Sequence, residues 1–110
     1  MRVLRFIVDG QSIAQDPTCD FSGLIPGSKG YLQAEFSFSS DWNNCAKVAA
    51  FYSPMGREYP PQILKDGKSC VIPAEALEKQ VFKIKVLGKR GDGFGIPTNK
   101  VTVCQDGGKQ

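Results

Sequence analysis

The sequence predicts an all-β fold, an immunoglobulin-like antiparallel β-sandwich of about seven strands with one short helix, and three observations carry that expectation. Apolar residues recur with a period of two along most of the chain, which is the spacing of strands buried on one face. Clusters of Gly, Pro, Asn, Asp and Ser return about every ten to fifteen residues, as turns between short strands require. A helical period is nearly missing. At 110 residues and 12.0 kDa the chain has the size of one domain with one core. That domain is expected over 1–104, with the polar, glycine-bearing stretch 105–110 as a flexible tail.

The clearest strands run from Val3 to Val8, Tyr31 to Phe38, Lys47 to Tyr52, Ser69 to Ile72, Val81 to Leu87 and Lys100 to Cys104. In the second, Leu32, Ala34, Phe36 and Phe38 share one face while Gln33, Glu35 and Ser37 share the other, the signature of a sheet with one wet side. Phe82, Ile84 and Val86 alternate in the same way with Lys83 and Lys85, which are expected on a solvated face. Breakers separate these runs at 23–30, 39–44, 53–56, 59–61, 65–68 and 89–97. Asp66-Gly67 suits a tight hairpin joining Gln62–Leu64 to Ser69–Ile72, because both residue types tolerate positive φ. Pro73 to Lys79 is the single helical stretch, a proline followed by good helix formers, long enough for one or two turns.

Composition excludes several kinds of chemistry. The chain has no histidine, so a Ser-His-Asp triad, a Cys-His pair and histidine metal ligation are all absent. No apolar run approaches the roughly 18 to 20 residues of a membrane span. The opening MRVLRFIVDG is broken by Arg5, lacks a small-residue cleavage site, and reads as a strand rather than a signal peptide. Cys19, Cys45, Cys70 and Cys104 stand 26, 25 and 34 positions apart with no CxxC pair, against the close spacing of a structural zinc site. Three disulfide pairings are arithmetically open. With no export signal, reduced cysteines buried as small apolar residues are the expectation. No cofactor and no metal are expected.

Several segments invite a function and are weighed against plainer roles. Gly88 to Gly95, GKRGDGFG, has neither the GxxxxGK[ST] pattern nor a following helix, so it is expected to be a strand-connecting loop rather than a phosphate cradle. Its Arg90-Gly91-Asp92 triplet would suit an integrin, but a glycine-rich turn supplies that context by chance. Trp42, the one tryptophan, is favoured as core over a stacking platform for a sugar or base. Tyr52, Met55, Tyr59, Pro60 and Pro61 form an aromatic and proline cluster suited to a partner surface, because prolines do not serve central strands. Glu35, Glu58, Glu75 and Glu78 form no acid-base pair, and no DxDxDG-like run offers a calcium loop. Residues 1–78 carry seven basic and nine acidic side chains, whereas 79–110 carry seven and two, so the last third is basic. Lys83, Lys85, Lys89 and Arg90 are the candidate basic docking face. This asymmetry falls short of the clustered stripe of a nucleic-acid binder.

The succession Phe36-Ser37-Phe38-Ser39-Ser40-Asp41-Trp42, Lys47 to Phe51, Leu64 to Leu77, Phe82 to Gly88 and Pro97 to Val103 resembles small immunoglobulin-like modules of virion structural proteins in tailed bacteriophages and prophages of Gram-positive bacteria. The resemblance covers roughly 30–104 and is most specific over Trp42–Phe51 and Asp66–Leu77. It implies a non-enzymatic virion component, made in the host bacterial cytoplasm, that docks in multiple copies on a capsid, as decoration, or on a tail or baseplate surface. Its implied partners are other virion proteins, with self-association open and neither nucleic acid nor membrane expected. It carries no catalytic residue to this chain. Because the last strand falls so near the end, an accessory role is expected rather than a host-recognition head. A different class of reading is a surface adhesion module holding carbohydrate on exposed aromatics, which requires Trp42 or Tyr59 to be exposed. A thiol-dependent enzyme is the third, resting only on a reactive cysteine.

Overall fold

Nine strands build the protein, described over residues 1–105 of a computed structural model: β1 (Arg2–Asp9), β2 (Ser12–Gln15), β3 (Leu32–Phe38), β4 (Ala46–Tyr52), β5 (Gln62–Ile63), β6 (Ser69–Val71), β7 (Val81–Lys89), β8 (Gly95–Pro97) and β9 (Val101–Cys104). They form two sheets, one in the order β2-β1-β3-β6 and one in the order β5-β4-β7, where β8 and β9 both pair with β7. The six clearest strands expected from alternation are all present, the arm expected at Gln62–Leu64 is the two-residue β5, and the two additional strands, β2 and β8, are short. Leu4, Phe6, Val8, Leu32, Ala34 and Phe36 face inward from the first sheet, meeting Ala49, Phe51, Phe82, Ile84, Val86 and Val103 from the second, all buried. The protein is an all-β sandwich. Its core is threaded by rings: Phe6 stacks on Phe36 with centroids 5.4 Å apart, and Phe38 meets Trp42 at 5.2 Å.

Three features depart from the sequence expectation. First, β1 runs parallel to β3, with Phe6 beside Phe36, within sheets that are otherwise antiparallel. A parallel neighbour needs a long crossover, and the segment from Asp16 to Tyr31 supplies it. That segment is anchored by Leu24 in the core and by the Phe21 ring, set edge-on to Phe6 at 5.4 Å.

Second, Asp66-Gly67 turns the chain without making a hairpin. Gly67 has φ 77°, and the Asp66 carboxylate accepts hydrogen bonds from the Lys68 and Ser69 N–H groups at 2.9 and 2.8 Å. The flanking strands nevertheless part: β5 pairs with β4, whereas β6 pairs with β3, so the turn carries the chain from one sheet to the other. Turn chemistry sets the reversal only. The longer strands β3 and β4 offer the edges that decide the partners.

Third, the expected helix is a 3-10 turn over Ala74–Leu77 that buries Ala76 and Leu77. The Leu77 carbonyl, which a longer helix would need, accepts the Gly27 N–H at 2.7 Å and the Gln105 side-chain amide at 3.1 Å. A second 3-10 turn, Ser40–Trp42, was not foreseen. It carries the Trp42 ring into the core, where the indole N–H donates to the Gly10 carbonyl at 2.8 Å. Gln105 is held rather than loose, buried with its amide also donating to the Lys79 carbonyl at 2.7 Å. The rest of the expected tail, 106–110, lies outside the described residues.

The two sides of the sandwich differ. On one side, the Asn99 N–H donates to the Gln11 carbonyl, the Ile13 N–H to Asn99 Oδ1, and the Gln15 amide to the Thr102 carbonyl. These bonds, all within 2.9 to 3.1 Å, tie the β2 side of one sheet to the β9 side of the other. On the opposite side the short edge strands β5 and β6 leave Ile63 and Val71 exposed.

Candidate docking face

With Phe82, Ile84 and Val86 turned inward, pleating sends Lys83, Lys85, Leu87 and Lys89 of β7 to the outer face of the five-stranded sheet. Register then decides their neighbours. Tyr52 lies opposite Lys83, Ala50 opposite Lys85, Val48 opposite Leu87 and Ala46 opposite Lys89. Ile63 of β5 pairs with Val48, and Pro97 of β8 pairs with Leu87. Ile63, Val48, Leu87 and Pro97 therefore form one apolar row crossing four strands. At strand spacing it is roughly 14 Å long. Ile63 is 71% exposed and Leu87 38%.

Lysines frame this row. Lys83 and Lys85 lie on one side and Lys89 on the other, two residues either way along β7 from Leu87 or beyond. Lys100 joins them from the residue before β9, its ammonium 4.1 Å from the centre of the Tyr52 ring. None of these four ammonium groups has a carboxylate within 4.0 Å among the described residues, where the two ion pairs are Arg5–Glu35 and Arg90–Asp92. Burial and the Glu58 carboxylate beside it push the Tyr52 phenol above its ordinary pKa, so it stays neutral.

The two candidate surfaces read from the sequence are thus redistributed. Tyr52 leaves the aromatic cluster to join the lysine face. Tyr59 turns the other way and packs against the core. Met55 is 94% exposed at the tip of the turn closed by the Gly56 N–H on the Ser53 carbonyl, and Pro60 and Pro61 are exposed just before β5. Arg90, the fourth residue of the candidate basic face, is engaged by its own loop. Its guanidinium stacks 4.0 Å over the Phe94 ring, and its Nε lies 3.7 Å from the Asp92 carboxylate. The Arg90-Gly91-Asp92 triplet therefore folds on itself, with the Phe94 N–H donating to Asp92 Oδ1, and does not hold its two charges apart for a receptor.

Val48, Ile63, Leu87, Pro97 and Lys100 were missed from the sequence. Leu87 had a signal, since it has the same parity as Lys83 and Lys85. The row itself had none, because it exists only once register aligns four separate strands.

The cysteines are four free thiols. Only Cys45 is buried as expected, whereas Cys104 is exposed and Cys19 and Cys70 are half-buried. Burial, with the Asp66 charge as the lesser cause, pushes the Cys70 thiol up to about 12, which leaves it a poor nucleophile. Comparison with protein-family models, with curated proteins and with solved structures finds no match for this chain.

Proposed function

We propose that the protein is a non-enzymatic structural or accessory component of a tailed-bacteriophage virion, docking in multiple copies on the capsid or tail surface through the outer face of its five-stranded sheet. The observation that carries the docking role is the exposed apolar row from Ile63 to Pro97, framed by lysines. An apolar centre with a charged rim is the anatomy of a protein interface. A rigid sheet suits repeated docking, because little ordering entropy is lost on binding. The virion setting rests on the resemblance of 30–104 to phage modules, and the lack of histidine supports a non-enzymatic role. Carbohydrate adhesion loses its strongest platform, since Trp42 is fully buried and Tyr59 packs inward.

Quantitative mass spectrometry of purified particles tests this reading. Hundreds of copies per particle correspond to capsid decoration or a tail tube, and a few to several dozen to a baseplate or vertex fitting. Absence of the chain from the particle overturns the virion assignment.

A further inference from the structure

Lys83, Lys85, Lys89 and Lys100 share one sheet face, none of their ammonium groups has a carboxylate within 4.0 Å among the described residues, and the Glu58 carboxylate that reaches this face lies beside the Tyr52 phenol. Soluble surfaces normally intersperse the two signs, and like charges on neighbouring strands repel. Lys83 and Lys85 stand two residues apart on β7, about 7 Å at strand rise. Lys100 continues the outward alternation of Thr102, which lies opposite Lys83. The sheet thus holds a concentrated positive field beside an apolar row that is itself exposed.

We propose that the occupant of this face is an acidic protein surface, one that seats an apolar ridge along Ile63, Val48, Leu87 and Pro97 while its carboxylates meet Lys83, Lys85, Lys89 and Lys100. The inference rests on the docking role of this face and adds the partner's chemistry. Charge complementarity selects acid, because anionic groups on a partner relieve the repulsion among four lysines that the single Glu58 carboxylate, set beside Tyr52, does not balance. The apolar row selects protein over nucleic acid. A phosphate backbone has nothing to place on four adjacent apolar side chains, and Arg90, whose guanidinium would be the preferred phosphate fork, is engaged by Phe94 and Asp92.

The test uses the full chain, isotope-labelled, and three probes: a peptide of alternating Glu and Leu, single-stranded DNA, and vesicles containing phosphatidylserine. The peptide is expected to shift the amide resonances of 48, 52, 63, 83, 85, 87 and 100 and to bind more tightly than either other probe. A Lys83→Glu/Lys85→Glu variant is expected to weaken peptide binding by about tenfold or more. A Lys65→Glu/Lys68→Glu control, equal in charge change, is expected to leave it nearly unchanged. Ile63→Asp is expected to weaken it as well. Equal loss in the control, shifts elsewhere on the protein, or preference for DNA or vesicles overturns the proposal. Because mapping is done on the unaltered chain, a misfolded variant does not block the result. The virion setting fails separately. A chain abundant in particles whose occupancy ignores the Lys83/Lys85 reversal sinks the acidic-partner inference alone, whereas a chain absent from particles that binds the peptide through this face sinks only the setting.

Discussion

Gly88 presents a single hydrogen to the Trp42 ring, and any side chain there collides with it. A Cβ on Gly88 would lie 2.7 and 2.8 Å from two indole carbons and 3.2 Å from Ile96. The ring cannot step aside, because Trp42 is fully buried and its N–H is tied to Gly10. Gly88→Ala is therefore expected to destabilise the fold by about 1–3 kcal/mol through overpacking, measurable by urea unfolding followed through the tryptophan. The cysteines also differ residue by residue. Under alkylation of the native protein, exposed Cys104 is expected to react first and Cys70 last. Cys70 has a folded pKa raised from 9.0 to about 12, so its neutral thiol favours folding fully below pH 9, a contribution lost as pH rises from 9 through 12. Mass spectrometry of timed alkylation decides the order, and early modification of Cys70 would contradict it.

Turns and strand ends show how elements are locked. Hydrogen bonds from the Lys68 and Ser69 N–H groups hold the Asp66 carboxyl at a pKa of about 2, down from 3.8. A depressed carboxylate pKa supports folding above about pH 4, and that support is lost as pH falls through 4 to 2. Titration by NMR is expected to place the Asp66 midpoint near 2, and Asp66→Asn to remove that acid-sensitive contribution. At the junction of β8 and β9, buried Thr98 accepts the Val86 N–H at 3.0 Å and donates to the Asn99 carbonyl at 2.7 Å. That exchange lets two short strands share the single long partner β7. The isosteric Thr98→Val leaves the Val86 N–H without its acceptor and is expected to cost about 1–3 kcal/mol in chemical denaturation. Such locks were half visible in the sequence. Asp66-Gly67 announced a turn, but whether it closes a hairpin or crosses between sheets depends on free edges far along the chain.

At the scale of the whole molecule, one side of the sandwich is sealed and the broad outer face of the five-stranded sheet is left apolar and positive. The proposed docking through it would combine two forces with different salt responses. Lysine attraction is screened, while apolar contact is not. Raising NaCl from about 0.05 to about 0.5 M is expected to slow association with an acidic partner and weaken binding without abolishing it. Affinity that ignores salt would remove the lysines from the interface.

Alternation along 3–8, 31–38, 47–52 and 81–87 was enough to place the main strands, their inward residues and the sandwich class, because a period of two is a local property that burial on one face enforces. The lysines of β7 were visible on the same ground. The parallel pairing of β1 with β3, the separation of β5 from β6, the inward turn of Tyr59 and the joining of Ile63, Val48, Leu87 and Pro97 were decided only by the tertiary structure. Each depends on which distant strand lies alongside and in what register. Those choices are made by the joint packing of two sheets around one core, and no single segment carries them.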